Sequence, residues 1–125
     1  MRIFKNAWFA RFAGKEGITD GELREMVNRL EAGQAANQRL DANLGGGVYK
    51  VRVARPGKGK SGGYRVIVFF KSGERTFYVY GFAKSGQANI SRKDLIMYKE
   101  AAKELFYMTS DKLKEKIEQG LFIEL

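Results

Sequence analysis

The sequence predicts an α+β fold, a small antiparallel sheet with N-terminal helices packed on it and further helices at the C-terminal end. Two observations carry this. Apolar residues recur at helical spacing in the first and last thirds, and at two-residue spacing through the middle. At 125 residues, with 44% apolar and 30% charged side chains, the chain is expected to form one globular domain over 1–125.

The elements follow in order. Ile3-Phe4 opens a short strand. Ala7-Trp8-Phe9 to Phe12 reads as a short helix, with Phe4, Trp8 and Phe12 four apart and Gly14 and Gly17 ending it. Thr19-Asp20-Gly21-Glu22 fits a capping box, in which hydroxyl and carboxylate each satisfy an orphan N–H. Leu23, Met26, Val27 and Leu30 then mark one helical face, and Gly33 suits a left-handed stop. Leu40 to Leu44 reads as a connection before Gly45-Gly46-Gly47.

The period then changes. From Val48 to Arg55, Tyr49, Val51 and Val53 alternate with Lys50, Arg52 and Ala54, which predicts a half-buried strand with a cationic outer face. Pro56 to Gly63 is a basic glycine-rich loop, and Tyr64 to Phe70, apolar beyond Arg65, is a central strand. Lys71-Ser72-Gly73-Glu74 has turn chemistry, and Thr76 to Phe82 is an aromatic third strand. A two-residue loop at Ser72-Gly73 sets Arg65 opposite Tyr80, Ile67 opposite Tyr78 and Phe69 opposite Thr76, all on one face. A three-residue loop with a bulge at Gly73 shifts that register. Ser91-Arg92-Lys93-Asp94 resembles a second capping box, followed by Leu95, Tyr98, Ala102 and Leu105 on a helix. A short helix runs from Ser110 to about Gln119, Gly120 stops it, and Leu121 to Leu125 is an edge strand.

Charge is unevenly spread. The net charge is +9, yet residues 45–93 alone carry eleven basic side chains against one acid, Glu74. Such a segment fits a polyanionic partner. With no His and no Cys in the chain, disulfide scaffolds, Cys nucleophiles, His bases and His- or Cys-built zinc sites are excluded. The longest apolar run, Val66 to Phe70, is too short to span a membrane, and the first residues lack the long apolar stretch of a secretory signal; a cytoplasmic protein is expected.

Arg forks and Lys ammonium groups suit a phosphodiester and the extra negative charge of its displacement transition state. Aromatic rings can stack on unpaired bases. The middle segment supplies Lys50, Arg52, Arg55, Lys58, Lys60, Arg65 and Lys84, with Tyr78, Tyr80 and Phe82. Each also has a plain structural reading: a solvated sheet face for Lys50 and Arg52, sheet packing for the aromatics, helix packing for Trp8, an ion pair for Arg65. Lys58-Gly59-Lys60-Ser61 lacks the GxxxxGK[ST] spacing and precedes a strand, which argues against a nucleotide triphosphate site. With one carboxylate in the segment, no metal cluster and no cofactor are expected there. RNA cleavage would then use the RNA's own 2′-OH, with Tyr or Lys moving the protons.

The run from Gly45-Gly46-Gly47-Val48-Tyr49-Lys50 through Gly62-Gly63-Tyr64-Arg65-Val66-Ile67, with Tyr80-Gly81-Phe82-Ala83-Lys84-Ser85, Asn89-Ile90-Ser91 and the start Trp8-Phe9-Ala10-Arg11, resembles toxins of the RelE/ParE superfamily. The likeness is to a HigB-like branch of bacterial type II toxin–antitoxin systems. It implies a RelE-like fold and an mRNA interferase, often acting on the translating ribosome. It also implies a helix-turn-helix (HigA-like) antitoxin, with operator DNA bound only through the complex. By position it puts phosphate stabilisation on Arg65, RNA or ribosomal RNA contacts on Arg52, Arg55, Lys58 and Lys60, and a further catalytic group on Lys84. The residue reading adds Tyr80 and Arg55 as catalytic candidates and Lys50, Tyr78 and Phe82 as RNA-binding candidates. The chain lacks the His that some relatives use, so the acid and base stay open. A gyrase-inhibiting member and an inactive homologue that only binds its antitoxin stay open too.

Overall fold

The computed structural model describes residues 1–33, 42–53, 63–83 and 90–125. Among them, six strands form one sheet in the order β2-β3-β4-β5-β1-β6, where β1 is Arg2–Asn6, β2 Ala42–Gly45, β3 Val48–Val53, β4 Tyr64–Lys71, β5 Arg75–Ala83 and β6 Phe122–Glu124. The helices are α1 (Ala7–Glu16), α2 (Asp20–Glu31), α3 (Arg92–Tyr107) and α4 (Ser110–Glu118). The expected α+β architecture holds.

The sheet is larger than a three-stranded meander. β1 adds parallel to β5 and carries β6 antiparallel on its outer side. Phe4 secures that insertion, its ring stacking on Phe77 at 5.0 Å, with Phe122 packing edge-on to Phe77 at 5.6 Å. A connection was expected over Leu40 to Leu44; Ala42–Gly45 pairs with β3 as a strand instead. Gly46 and Gly47 have positive φ and turn the chain there, a conformation glycine takes without a Cβ clash.

β4 explains its own composition. It is covered on both faces, hence the unbroken Val66–Phe70 run. On one face Val66, Val68 and Phe70 meet Phe9, Leu23, Met26, Val27 and Leu30 of α1 and α2. On the other, Ile67 and Phe69 lie in a cluster with Ala102, Leu105 and Leu113 of α3 and α4. Thr19, Ser91 and Thr109 cap α2, α3 and α4 by accepting from the N–H three residues on, at 3.0–3.1 Å. The first helix runs through Gly14 and closes only at Gly17, φ +73°.

The β4–β5 hairpin corrects the two-residue register. Lys71 pairs with Arg75 across a three-residue loop, Ser72-Gly73-Glu74. Glu31, at the end of α2, clasps this tip: its carboxylate accepts from the Ser72 hydroxyl at 2.8 Å and the Gly73 N–H at 2.7 Å. The pairing then shifts once more. Val68 faces Tyr78 but Ile67 faces Tyr80, so Val79 is an extra residue, a bulge. Because side chains alternate along a strand, one inserted residue sends every later one to the opposite face. Tyr78 therefore joins the α1/α2 side, while Tyr80 and Phe82 join the side of Arg65. The six side chains expected on one face are divided, and Arg65 pairs with Phe82 rather than Tyr80.

Asn6 holds the bulge. Its Nδ2 donates to the Val79 carbonyl at 3.0 Å, while its Oδ1 accepts from Phe9 N–H at 2.7 Å and caps α1. Asn6→Ala removes both bonds, and a urea titration is expected to show a loss of about 1–2 kcal/mol. Tyr78 is fully buried, and its hydroxyl donates to the Leu23 carbonyl at 2.6 Å. Burial pushes its pKa well above the ordinary 10.0. The folded state thus holds the proton more tightly than the unfolded one. The stability this contributes is fully present below pH 10 and falls as pH rises above it, by about 1.4 kcal/mol per pH unit. Comparing wild type with Tyr78→Phe from pH 9 to 12 by denaturation is expected to show that slope in the wild type only.

Candidate phosphate-binding face

On the α3/α4 side of the sheet, the strand register builds two rows of side chains. Lys50, Ile67 and Tyr80 are neighbours across β3, β4 and β5, and Arg52, Arg65 and Phe82 form the next row. Ile67 lies in the core beneath α3. Beyond it the face carries Lys50, Arg52 and Arg65, all only partly covered. The basic alternation of the β3 sequence thus meets the single cation of β4 on one surface.

Arg52 and Arg65 are direct cross-strand partners. Like charges placed opposite one another are unfavourable. Among the described residues Arg65 makes no ion pair, and its Nη1 is buried with no hydrogen-bond partner. No ion pair among the described residues explains Arg65. A buried guanidinium N–H lacking an acceptor carries a desolvation cost that an anion would remove.

Gly63 shapes the same spot. A Cβ there would fall 2.8 Å from the Val53 carbonyl and 3.0 Å from Arg52 Nε, so only glycine lets the Arg52 side chain lie over the start of β4. The Gly-Tyr-Arg motif thus divides its work: Gly63 makes room, Tyr64 turns to the helices, and Arg65 shares a face with Arg52. The Tyr64 hydroxyl donates to the Glu16 carboxylate, and its ring meets Phe12 edge-on at 5.6 Å. Gly81, on that helical side, leaves space for the Phe12 ring, which a Cβ would meet at 2.3 Å.

Aromatic groups border the cations. Tyr80 is half-buried, stacked on Trp8 at 4.5 Å and tilted against Phe82 at 6.1 Å. Trp8 stacks in turn on Phe12 at 5.3 Å and stays 39% exposed, so it stands on the rim of the face as well as packing on its helix. Tyr98 of α3 lies edge-on to Phe69 at 6.1 Å. Its phenol is held above the ordinary value by burial first, then by Asp94 and Tyr80. The phenol is thus held in its neutral form on the side of the sheet that carries Tyr80, whereas sequence reading treated Tyr98 only as a helix-face residue. A tyrosine on an otherwise aliphatic stripe was its one signal.

Tyr78 is corrected. It lies on the opposite side of the sheet, wholly buried, with no surface on which a base could stack. Phe82 shares the Arg65 face but is 8% exposed and belongs to the α3/α4 cluster. Arg55, Lys58, Lys60 and Lys84 lie outside the described residues.

Among the described residues no helix is long and apolar enough to cross a membrane, and no three His, Cys, Asp or Glu side chains gather where they could hold a metal ion. Glu74, the lone acid of the basic segment, sits at the hairpin tip beside Lys71 at 3.5 Å, at the end of β4 away from Arg65. Across residues 1–125 the chain matches the family model described as the RelE toxin of the RelE/RelB toxin–antitoxin system. Toxins of that family act with an antitoxin partner and are in general endoribonucleases that cut mRNA. With that match over its whole length, on an α+β sheet bearing paired arginines, the chain belongs to the RelE toxin family.

Proposed function

We propose that this toxin is a metal-independent mRNA interferase of the HigB-like branch, acting in the cytoplasm on message being translated at the ribosome, and neutralised by a helix-turn-helix antitoxin. The whole chain serves as the one toxin domain. The observation that carries the reading is the Arg52–Arg65 pair, with Arg65 Nη1 buried and lacking an acceptor. A phosphodiester laid across the two guanidiniums supplies that acceptor and relieves their repulsion.

The reaction is an in-line displacement. The 2′-oxygen bonds to phosphorus and gives its proton to a base, the P–O5′ bond breaks, and the departing 5′-oxygen takes a proton. Negative charge grows on the non-bridging oxygens, and Arg65, with Arg52 beside it, stabilises that charge more in the transition state than in the ground state. Tyr80 lies on the same face, and Tyr98, kept neutral by burial, is a second phenol able to protonate the leaving oxygen. Lys84 is proposed as the base. Arg55 is proposed to contact the reacting phosphate, and Lys50, Lys58 and Lys60 the RNA backbone; these roles rest on sequence alone for Arg55, Lys58 and Lys60. Trp8, exposed and stacked on Tyr80, offers an edge for a flanking base.

End mapping of RNA from induced cells is expected to give 2′,3′-cyclic phosphate upstream and 5′-OH downstream of each cut. Arg65→Ala is expected to lower single-turnover cleavage by about 100-fold or more, with Arg65→Lys recovering only part, since a point charge lacks the fork. Equal cleavage by Arg65→Ala and wild type rejects the assignment, and intact message with arrested DNA replication favours a gyrase-inhibiting toxin. Lys84→Met tests the base separately, and unchanged single-turnover cleavage removes it.

A further inference from the structure

A second concave surface opens at the other end of β4, roughly 20 Å from Arg65 along the strand. It is a cleft of about 420 Å³ between the β2–β3 turn and α3, floored by Phe106 and Tyr107 and rimmed by Lys71, Lys99 and Lys103. The glycine turn is shaped to this cleft. A Cβ on Gly47 would lie 2.5 Å from the Phe106 ring, one on Gly46 3.2 Å from Lys99 Cγ, and one on Gly45 3.3 Å from Lys99 Nζ. Gly45-Gly46-Gly47 therefore seats the Lys99 stem and the Phe106 ring against the sheet.

Much of the charge here has no acidic partner among the described residues. Lys99 and Lys103 stand one helical turn apart, an unfavourable like-charge spacing, and among the described residues neither has an ion-pair partner. Lys71 is shared between Glu74 at 3.5 Å and the Tyr107 ring at 4.4 Å. Apolar surface continues along α3: Ile96 is 55% exposed, Met97 54% and Tyr107 71%. An aromatic floor, a lysine rim and an exposed apolar flank are the components of a protein-docking site.

We propose that this cleft docks an acidic segment of the antitoxin, one that inserts an apolar anchor over Phe106 and Tyr107 and sets carboxylates against Lys99 and Lys103. The proposal rests on membership of a toxin–antitoxin family and not on the RNA chemistry. Two features favour a protein occupant over RNA. The concave aromatic floor takes one apolar side chain, where an RNA backbone would present phosphates. The rim is also purely lysine, whereas the forked guanidiniums suited to phosphate stand at the far end of the sheet. A partner seated here leaves Arg65 uncovered, so antitoxin affinity and RNA cleavage are separable by mutation.

Calorimetry of the full-length chain against its antitoxin, with the charge-reversal variant Lys99→Glu/Lys103→Glu and the truncation Tyr107→Ala, tests this. Each variant is expected to bind at least tenfold more weakly while cleaving RNA at the wild-type rate. Hydrogen exchange of the wild-type complex is expected to show new protection at 45–47 and 96–107, a readout that needs no variant to fold. Affinities within twofold of wild type, or protection confined to other segments, overturn the proposal. So does a lysine variant that keeps antitoxin affinity but loses affinity for an oligoribonucleotide, since the cleft then serves nucleic acid. A wild-type chain that binds antitoxin here yet cuts no RNA contradicts the proposed chemistry and leaves the docking site standing.

Discussion

The bond from Asn6 to the Val79 carbonyl is the constraint on which the working face depends. Without an extra residue at Val79, Tyr78 and Tyr80 would share a side, and the third strand would turn Tyr80 towards α1 and α2. With it, Tyr78 enters one core and Tyr80 reaches the other side, next to Arg65. The same amide caps α1, so the helix that carries Trp8 and the strand that carries Tyr80 are fixed by one side chain. The Trp8–Tyr80 stack follows from that common anchor. A bulge beside a functional face is a familiar device for re-aiming a side chain.

The sheet then separates two kinds of positive charge. At one end of β4 stand two arginines opposite one another, with Arg65 Nη1 buried and lacking an acceptor among the described residues, where a phosphate is the proposed complement. At the other end stand lysines around an apolar cleft. α3 and α4 cover the sheet between them with Ala102, Leu105 and Leu113. Among the described residues these cations therefore lie on two surfaces of different chemistry: arginines of the middle segment at one end, and Lys71 with Lys99 and Lys103 of α3 at the other. The glycines follow the same division: Gly63 clears space for Arg52, and the Gly45-Gly46-Gly47 turn clears space for Lys99 and Phe106.

Much of this was legible in the residues. The alternation from Val48 to Val53, the doubly apolar run of β4 and the hydroxyl caps at Thr19 and Ser91 are local signals, and each became the expected element. Arg65 stood out because a cation at the head of an apolar strand has no packing reason to be there. What local pattern could not reveal depends on long-range pairing. The strand expected at Ile3-Phe4 forms, but its place parallel to β5, where Phe4 meets Phe77, was not legible locally. The hairpin register depends on Glu31, forty-odd residues upstream of the loop it clasps. Val79 is β-branched and looks like an ordinary strand residue, so nothing in its neighbours announces a bulge. For that reason Tyr78 and Tyr80, identical in local pattern, ended on opposite sides.

The central claim is that Arg52 and Arg65 jointly hold the scissile phosphate. The most direct measurement is a titration of the chain with an oligoribonucleotide made uncleavable by 2′-deoxy substitution, followed through the arginine side-chain nitrogen signals. Large, saturable shifts of the Arg65 and Arg52 guanidinium signals at a common dissociation constant are the expected result. Saturable RNA binding that leaves both guanidinium signals in place would contradict it.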